Sequence, residues 1–322
     1  MKKIDEELGG IRNCAVLGHI RPDGDSVGAV LGMYHYIRDN CPEISVTAYL
    51  HPFTEDLRDT LPGAEKILGE ARGDEEYDLC IALDTSTKDR LGDFEGVFDR
   101  AKRTVCIDHH FTNPGFADVN VIDAKASAAS ELLYELMDPA KVSPRTADCL
   151  FTGIVHDTGC FCHDNTTERT MIVAGGLIGH GARSGVLIRD TFTHKSYVQV
   201  RLLGAAMSSA ALELDGKFII SMMTFDEMVS LGGRPMDMEP VIDDLRVTDG
   251  TVCAAFARQS ENGEWRVSLR ANGDFCVSDI AEQFGGGGHV KAAGCTMHGS
   301  EAEVRAALIE AVGRAIGKNA ED

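Results

Sequence analysis

Aromatic residues make up only 6% of the 322 residues, with a single tryptophan, Trp265. That scarcity leaves no stacking platform for a long single strand of nucleic acid. Basic residues are outnumbered by acidic ones, 31 to 51, for a formal net charge of −20. Gripping a long polyanion requires Lys and Arg to neutralise many phosphates, so long nucleic acid is excluded as a partner and any anionic substrate is small. No run of 18 apolar residues occurs, and Met1 to Asn13 is polar and charged without an apolar stretch of signal-peptide type. Neither membrane nor export is therefore expected, and the reading is cytoplasmic. The ten cysteines form no Cys-x-x-Cys pair, and Cys14, Cys80, Cys106 and Cys149 lie inside apolar runs. Neither a disulfide framework nor a thiolate zinc site is indicated. Gly-x-Gly-x-x-Gly is also missing, which argues against a dinucleotide fold.

What is present is enough chain, with 43% apolar residues, for two domains with sizeable cores. The organising stretch is Val16-Leu17-Gly18-His19-Ile20-Arg21-Pro22-Asp23-Gly24-Asp25-Ser26-Val27-Gly28. Cys14 to Leu17 is a short apolar run, Pro22 and Gly24 stop it, and Ser26 onward has a helical pattern, which predicts strand, acidic turn and helix. Asp23 and Asp25 in one tight turn repel each other unless a cation lies beside them. Hard divalent ions suit such oxygens, and His19 adds a nitrogen. Gly24-Asp25-Ser26-Val27-Gly28 also spells the nucleophile elbow of serine hydrolases. That elbow normally follows several strands and here follows the first, which argues against Ser26 as a nucleophile. For the stretch alone, a solvated Asp-Gly turn is the plainer alternative.

Val27 to Arg38 is predicted helical, and Ile44 to Leu50 reads as a strand. Asp78 to Asp84 and Thr104 to His110 are apolar runs ending in acids or histidines. Near-continuous apolar strands between helices predict an α/β fold with a doubly wound parallel sheet. Strand C-termini in such a sheet converge on one edge, which would gather His19, Asp23, Asp25, Asp84 and Asp108 to His110. Ser127 to Met137 and Pro144 to Val155 have helical spacing, the second opened by Ser143 as N-cap with Pro144 at the first position. That helix delivers His156 and Asp157, and Thr166 to Ile178 makes a further helix. His156 and His163 are expected to be structural or surface residues. Residues 1–195 are expected to form the first domain, 196–214 a helical connector, and 215–322 a second, smaller α+β domain. Its strands fall at Phe218 to Met223, Thr251 to Arg258 and Trp265 to Arg270, and its helices at Val277 to Phe284 and Glu301 to Ile316. Gly285 to Gly288, then His289, lie between those helices, where successive N–H groups can form an anion nest.

Asp108-His109-His110, taken with His19-x-x-x-Asp23-Gly24-Asp25, Leu83-Asp84-Thr85-Ser86 and Asp157-Thr158-Gly159, resembles the DHH phosphoesterase superfamily. The glycine run with His289 and Ala292-Ala293-Gly294 resembles the DHH-associated C-terminal domain, so the resemblance spans essentially the whole chain. Length and layout are most similar to the branch that combines oligoribonuclease (nano-RNase) and pAp phosphatase activities. The resemblance implies two divalent metal ions, manganese by family habit. One would lie on His19, Asp23 and Asp84 and the other on Asp25, Asp84, His109 and Asp157, with Asp84 bridging. The charge of four ligand carboxylates equals that of two divalent ions. Mixed histidine and carboxylate donors also admit cobalt, iron or zinc. Asp108 would orient a ligand histidine from behind and His110 would face the substrate. Arg270, with Gly286, Gly287, Gly288 and His289, would receive a substrate phosphate.

The implied reaction is hydrolysis of short oligoribonucleotides to mononucleotides, of 3′-phosphoadenosine 5′-phosphate to AMP, or of both. Partners are then short RNA or small phosphorylated nucleotides, and a homodimer is left open. One alternative is a cyclic- or linear-dinucleotide phosphodiesterase of the same superfamily. Another is a metal-dependent nucleotide-binding protein without turnover. Two departures stand out: Cys162 occupies a position where the family commonly has arginine, and Ala29 one where serine is frequent. The first bears on how a second phosphate or flanking nucleotide is held, and neither touches the metal ligands.

Overall fold

Side-chain alternation in a handful of short strands builds the first sheet. These are β1 (Asn13–Leu17), β2 (Ser45–Tyr49), β3 (Leu79–Leu83), β4 (Thr104–Asp108) and β5 (Val119–Ile122). Cys14, Val16, Leu79, Ile81, Leu83, Val105 and Ile107 enter one core, while Ala15, Leu17, Cys80 and Ala82 enter another on the opposite face. Burial on both faces is what near-continuous apolar strands require. The computed structural model describes residues 4–71, 73–238 and 240–319, and the chain divides into two units after His194.

In the first unit all strand pairs are parallel, in the order β2-β1-β3-β4-β5. Helices α1 (Gly24–Asn40), α3 (Ala129–Leu136) and α4 (Pro144–Asp157) supply the larger core, and α2 (Glu95–Arg100) lies on the other face through Val97 and Phe98. Helix α5 (Glu168–Gly179) adds Val173, Ala174 and Leu177 to the larger core. Ser143 caps α4 by accepting from Thr146 N, with Pro144 at the first position. Chain order reverses between β1 and β3, and the crevice beyond their carboxyl ends is where such sheets bind ligands. The segments leaving that edge carry His19 to Asp25 after β1, Asp84 after β3, and His109 and His110 after β4.

The second unit is a mixed sheet in the order β10-β11-β9-β8-β7-β6. Its strands are β6 (Ala211–Glu213), β7 (Phe218–Met223), β8 (Cys253–Gln259), β9 (Trp265–Ala271), β10 (Gly287–Gly288) and β11 (Ala292–Met297). Of these, only β7 and β8 pair in parallel. The run 196–214 is helical over α6 (Tyr197–Ser209) and then becomes β6; Leu202 and Ala206 of α6 share a core with Ile219 and Met223. Helix α7 (Glu301–Asn319) packs Val304, Leu308, Ala311 and Val312 on the other face. All ten cysteines are free, and Cys162 is exposed. Among the described residues no single helix is long and apolar enough to cross a membrane.

Candidate metal centre

Asp23 begins the site by capping α1: its Oδ1 accepts from the amides of Asp25 and Ser26, both at 3.1 Å. That cap turns the chain so that His19, four residues earlier, faces the same place. His19 Nδ1 lies 2.7 Å from Ile20 O and so carries the proton. Its Nε2 is left facing Asp84 Oδ2 at 3.3 Å and Asp23 Oδ2 at 3.7 Å. Across the same carboxylate, His109 Nε2 lies 3.4 Å from Asp84 Oδ1 and 3.1 Å from Asp157 Oδ2. Asp84 therefore presents one oxygen to each group. It is 2% exposed, and its Oδ1 accepts no hydrogen bond among the described residues.

Asp25 is fully buried on the first turn of α1, where its two oxygens accept from Ala129 N at 2.5 Å and Ser130 N at 3.0 Å at the start of α3. A helix N-terminus favours a carboxylate there. Room for it comes from Gly153, because a Cβ at that position would lie 2.6 Å from Asp25 Oδ1 and 2.1 Å from Ser130 Oγ. The donor atoms of Asp25, His109 and Asp157 lie within 4.8 Å of one another, as do those of His19, Asp23 and Asp84. Asp84 itself sits at φ 52°, a left-handed conformation that aspartate tolerates better than most residues.

Crowding of these acids shows in their proton affinities. Burial, reinforced by Asp84 and Asp157, pushes Asp25 well above the usual carboxylate range. Burial also lifts Asp157 to about 6, with Asp84 adding to it and His109 opposing. Burial alone would lower His109, but Asp157, Asp84 and Asp25 outweigh it and raise the imidazole to about 12. His19 rises to about 10 against the same opposition, through Asp23 and Asp84, and Asp23 falls to about 2 in return. The cluster holds protons because it has more negative charge than its own histidines balance. An unpartnered buried oxygen, two imidazole nitrogens and four carboxylates make a donor set that fits divalent cations.

The profile of the DHH family, N-terminal domain, matches residues 13–154, and that of the DHHA1 domain matches residues 215–318. The bifunctional oligoribonuclease and PAP phosphatase NrnA of Thermus thermophilus is 31% identical over 286 residues, covering 87% of this chain and 83% of that protein. The chain belongs to the DHH family. Its NrnA relative in Bacillus subtilis is 28% identical over 285 residues, 87% of this chain and 88% of that one. An exopolyphosphatase-related protein from Bacteroides fragilis shares the fold, with a TM-score of 0.85 at 23% identity over 98% of this chain and 94% of that chain.

Within the DHH triplet, Asp108 takes a different partner from the one expected. Its Oδ1 lies 2.8 Å from Nδ1 of His110, not of His109, and its Oδ2 accepts from Asn113 Nδ2 at 2.7 Å. Asp108 is the last residue of β4, and in extended chain residues two apart share a side, which puts His110 and not His109 beside it. Three supports of the DHH site were not foreseen. Asn113 ties Asp108 to Thr85 O at 3.0 Å, Arg90 O accepts from Ile20 N at 2.7 Å beside His19, and the amides of Ala129 and Ser130 hold Asp25. His156 packs its ring where a Gly24 side chain would project, and its Nε2 lies 3.2 Å from Thr191 Oγ1.

Ser26 is fully buried, and its Oγ accepts from His19 N at 3.2 Å. The hydroxyl thus shapes the turn. Ser26→Ala is expected to leave kcat/KM within about tenfold of wild type while destabilising the fold by about 1–3 kcal/mol, the penalty for stranding a buried N–H. Denaturant unfolding beside a phosphoester assay checks both, and loss of all hydrolysis in a folded variant would restore the elbow reading.

In the second unit, Arg270 is not a free fork: its Nε donates to Asp243 Oδ1 at 3.1 Å and its Nη1 to Leu269 O at 3.2 Å. The glycine run is partly a strand. Gly287 and Gly288 pair with Gly294 and Ala293, and a Cβ on Gly286 or Gly288 would strike the backbone of residues 292–295. Gly287 and His289 are exposed.

Proposed function

We propose that this protein is a two-metal phosphoesterase, working in the cytoplasm, that hydrolyses short oligoribonucleotides to mononucleotides and 3′-phosphoadenosine 5′-phosphate to AMP. The observation that carries the reading is Asp84, one buried carboxylate whose two oxygens face two separate groups of ligand-type side chains. His19, Asp23 and Asp84 would hold one ion, and Asp25, Asp84, His109 and Asp157 the other, with manganese the natural candidate. Bound divalent ions supply positive charge to a phosphoryl oxygen and make water a stronger nucleophile at neutral pH.

The remaining chemistry belongs to the chain. Asp108, anionic despite its burial because His110 and Asn113 hold it, raises the pKa of His110. With Nδ1–H donated to Asp108, the half-exposed His110 has Nε2 free, and its raised pKa favours a second proton there for delivery to a leaving oxygen. Asp25 stays oriented by the start of α3, and His19 by the Ile20 carbonyl, so the site is organised before substrate arrives. To the second unit we assign phosphate recognition by Arg270, whose guanidinium is oriented by Asp243, and by His289 beside the exposed Gly287.

Support comes from the two DHH-type groups, from the NrnA relatives that span most of the chain, and from a net charge unsuited to long polyanions. A substrate panel with purified protein and Mn²⁺ tests it. Dinucleotides and 3′-phosphoadenosine 5′-phosphate are expected to be turned over at least about tenfold faster, by kcat/KM, than a twenty-nucleotide RNA, whose extra phosphates meet an acidic surface. No release of mononucleotide or phosphate from any substrate would overturn the reading, and a preference for cyclic dinucleotides would replace its substrate.

A further inference from the structure

The turn leaving the DHH triplet carries a bare aromatic ring at its tip. Asn113 N donates to His110 O at 3.1 Å, closing a turn whose two central residues are Phe111 and Thr112. Such positions ordinarily go to Pro, Gly, Asn, Asp or Ser. Phe111 is nevertheless 87% exposed, the most open large hydrophobic side chain among the described residues, and has no ring partner there. A breach of local preference next to a functional cluster points to a role outside folding.

The turn is also held firmly. Asn113 Nδ2 donates to Asp108 Oδ2 at 2.7 Å and to Thr85 O at 3.0 Å, and Asn113 Oδ1 accepts from Gly115 N at 2.9 Å. His110, the other corner, is fixed to Asp108 Oδ1 at 2.8 Å. Both corners therefore hang on one fully buried carboxylate at the end of β4. An apolar ring carried in water on a fixed backbone turn leaves only its own side-chain rotation to be ordered when a flat apolar ligand is laid against it.

We propose that Phe111 is a base-stacking residue, which selects substrates carrying a nucleobase on the nucleotide whose phosphate is processed beside His110. The inference rests on the phosphoesterase reading and deepens it, since it names what the substrate must carry besides a phosphate. A nucleobase lies one sugar away from its phosphate, and Phe111 directly follows His110 in the turn held by the Asp108 carboxylate. Every base has a π-face, so a phenyl ring accepts all of them, and stacking of this kind changes affinity by about 5- to 150-fold.

The test compares Phe111→Ala, Phe111→Leu and Phe111→Tyr on a dinucleotide and on an analogue with hydrogen in place of both bases. Alanine and leucine are expected to raise KM for the dinucleotide by about 5- to 150-fold with little change in kcat, tyrosine to restore it, and the loss to be confined to the base-bearing substrate. A separate readout needs no turnover: in Phe111→Trp, added AMP should quench the new indole, while Trp265, 1% exposed, gives a constant background. Equal KM for the alanine and tyrosine variants, equal losses on both substrates, or no quenching would overturn the stacking role. A wild-type protein that hydrolyses neither substrate would instead overturn the phosphoesterase reading, and the quenching experiment would still decide the role of Phe111.

Discussion

Asp84→Asn is expected to lower kcat/KM by about 10³-fold or more and to leave less than one divalent ion per chain. Asparagine is the informative exchange because it tolerates the left-handed backbone at φ 52°, so charge is removed without a backbone clash. With Asp84 gone, His19 Nε2 loses a carboxylate oxygen at 3.3 Å and His109 Nε2 one at 3.4 Å. Ions of this kind contribute several kcal/mol of charge stabilisation in the transition state, and about 4 kcal/mol corresponds to a thousandfold. Asp23→Asn touches only one group and should retain more metal. In metal-free protein Asp84 repels Asp25 and Asp157 but also pairs with the raised imidazoles of His19 and His109, so the two effects oppose each other and the asparagine variant should lose far more metal than thermal stability. Metal content by mass spectrometry and a thermal melt decide it. A variant that keeps two ions per chain would show that Asp84 does not bridge.

Removing metal with EDTA should abolish hydrolysis, and adding Mn²⁺ should raise the melting temperature by an increment that widens as pH rises from 5 to 8. The sign follows from the protons that the ions displace. Asp157 titrates at about 6 instead of its usual 3.8, so the folded metal-free protein binds more protons than the unfolded chain across that window and loses stability as pH rises through it. His19 and His109, raised to about 10 and about 12, add stability that is complete below about 6.5, declines as pH rises from there, and is lost once pH has passed those values. Metal binding must expel these protons, so apparent affinity should rise about tenfold per pH unit for each proton released. Melts with and without Mn²⁺ at four pH values measure it, and an increment that is constant or shrinks would mean that the acids do not hold the ion.

The apolar runs ending at Leu17, Asp84 and Asp108 could be read from sequence as strands of one sheet because burial on both faces leaves no room for polar residues within them. Their convergence followed from parallel geometry alone. The edges were harder. β5 is a half-exposed Val-Asn-Val-Ile segment without a continuous apolar run, and Ala292–Met297 is small-residue chain that becomes a strand only because β9 pairs along it from Arg270 to Trp265. The partner of Asp108 was hidden for a different reason: two adjacent histidines are equivalent in sequence, and the pleat of β4 distinguishes them. Asn113 and Arg90 are single polar residues in turns, with no spacing to mark them.

Gly153 has a consequence for anyone wishing to make this enzyme more heat-resistant. Exchanging a helical glycine for alanine is a routine gain of about 0.5–1 kcal/mol, and α5 and α6 offer it at Gly175 and Gly204, where an added methyl meets nothing within 4 Å. In the middle of α4 the same exchange would drive a methyl group into the Asp25 carboxylate and the Ser130 hydroxyl. A consensus-style stabilisation that treats every helical glycine alike would therefore gain at Gly175 and Gly204 and, in the same round, push a methyl into Tyr134 at Gly176 and into the Asp25 carboxylate of the candidate metal site at Gly153, so the engineering map of this protein follows what each added methyl would meet.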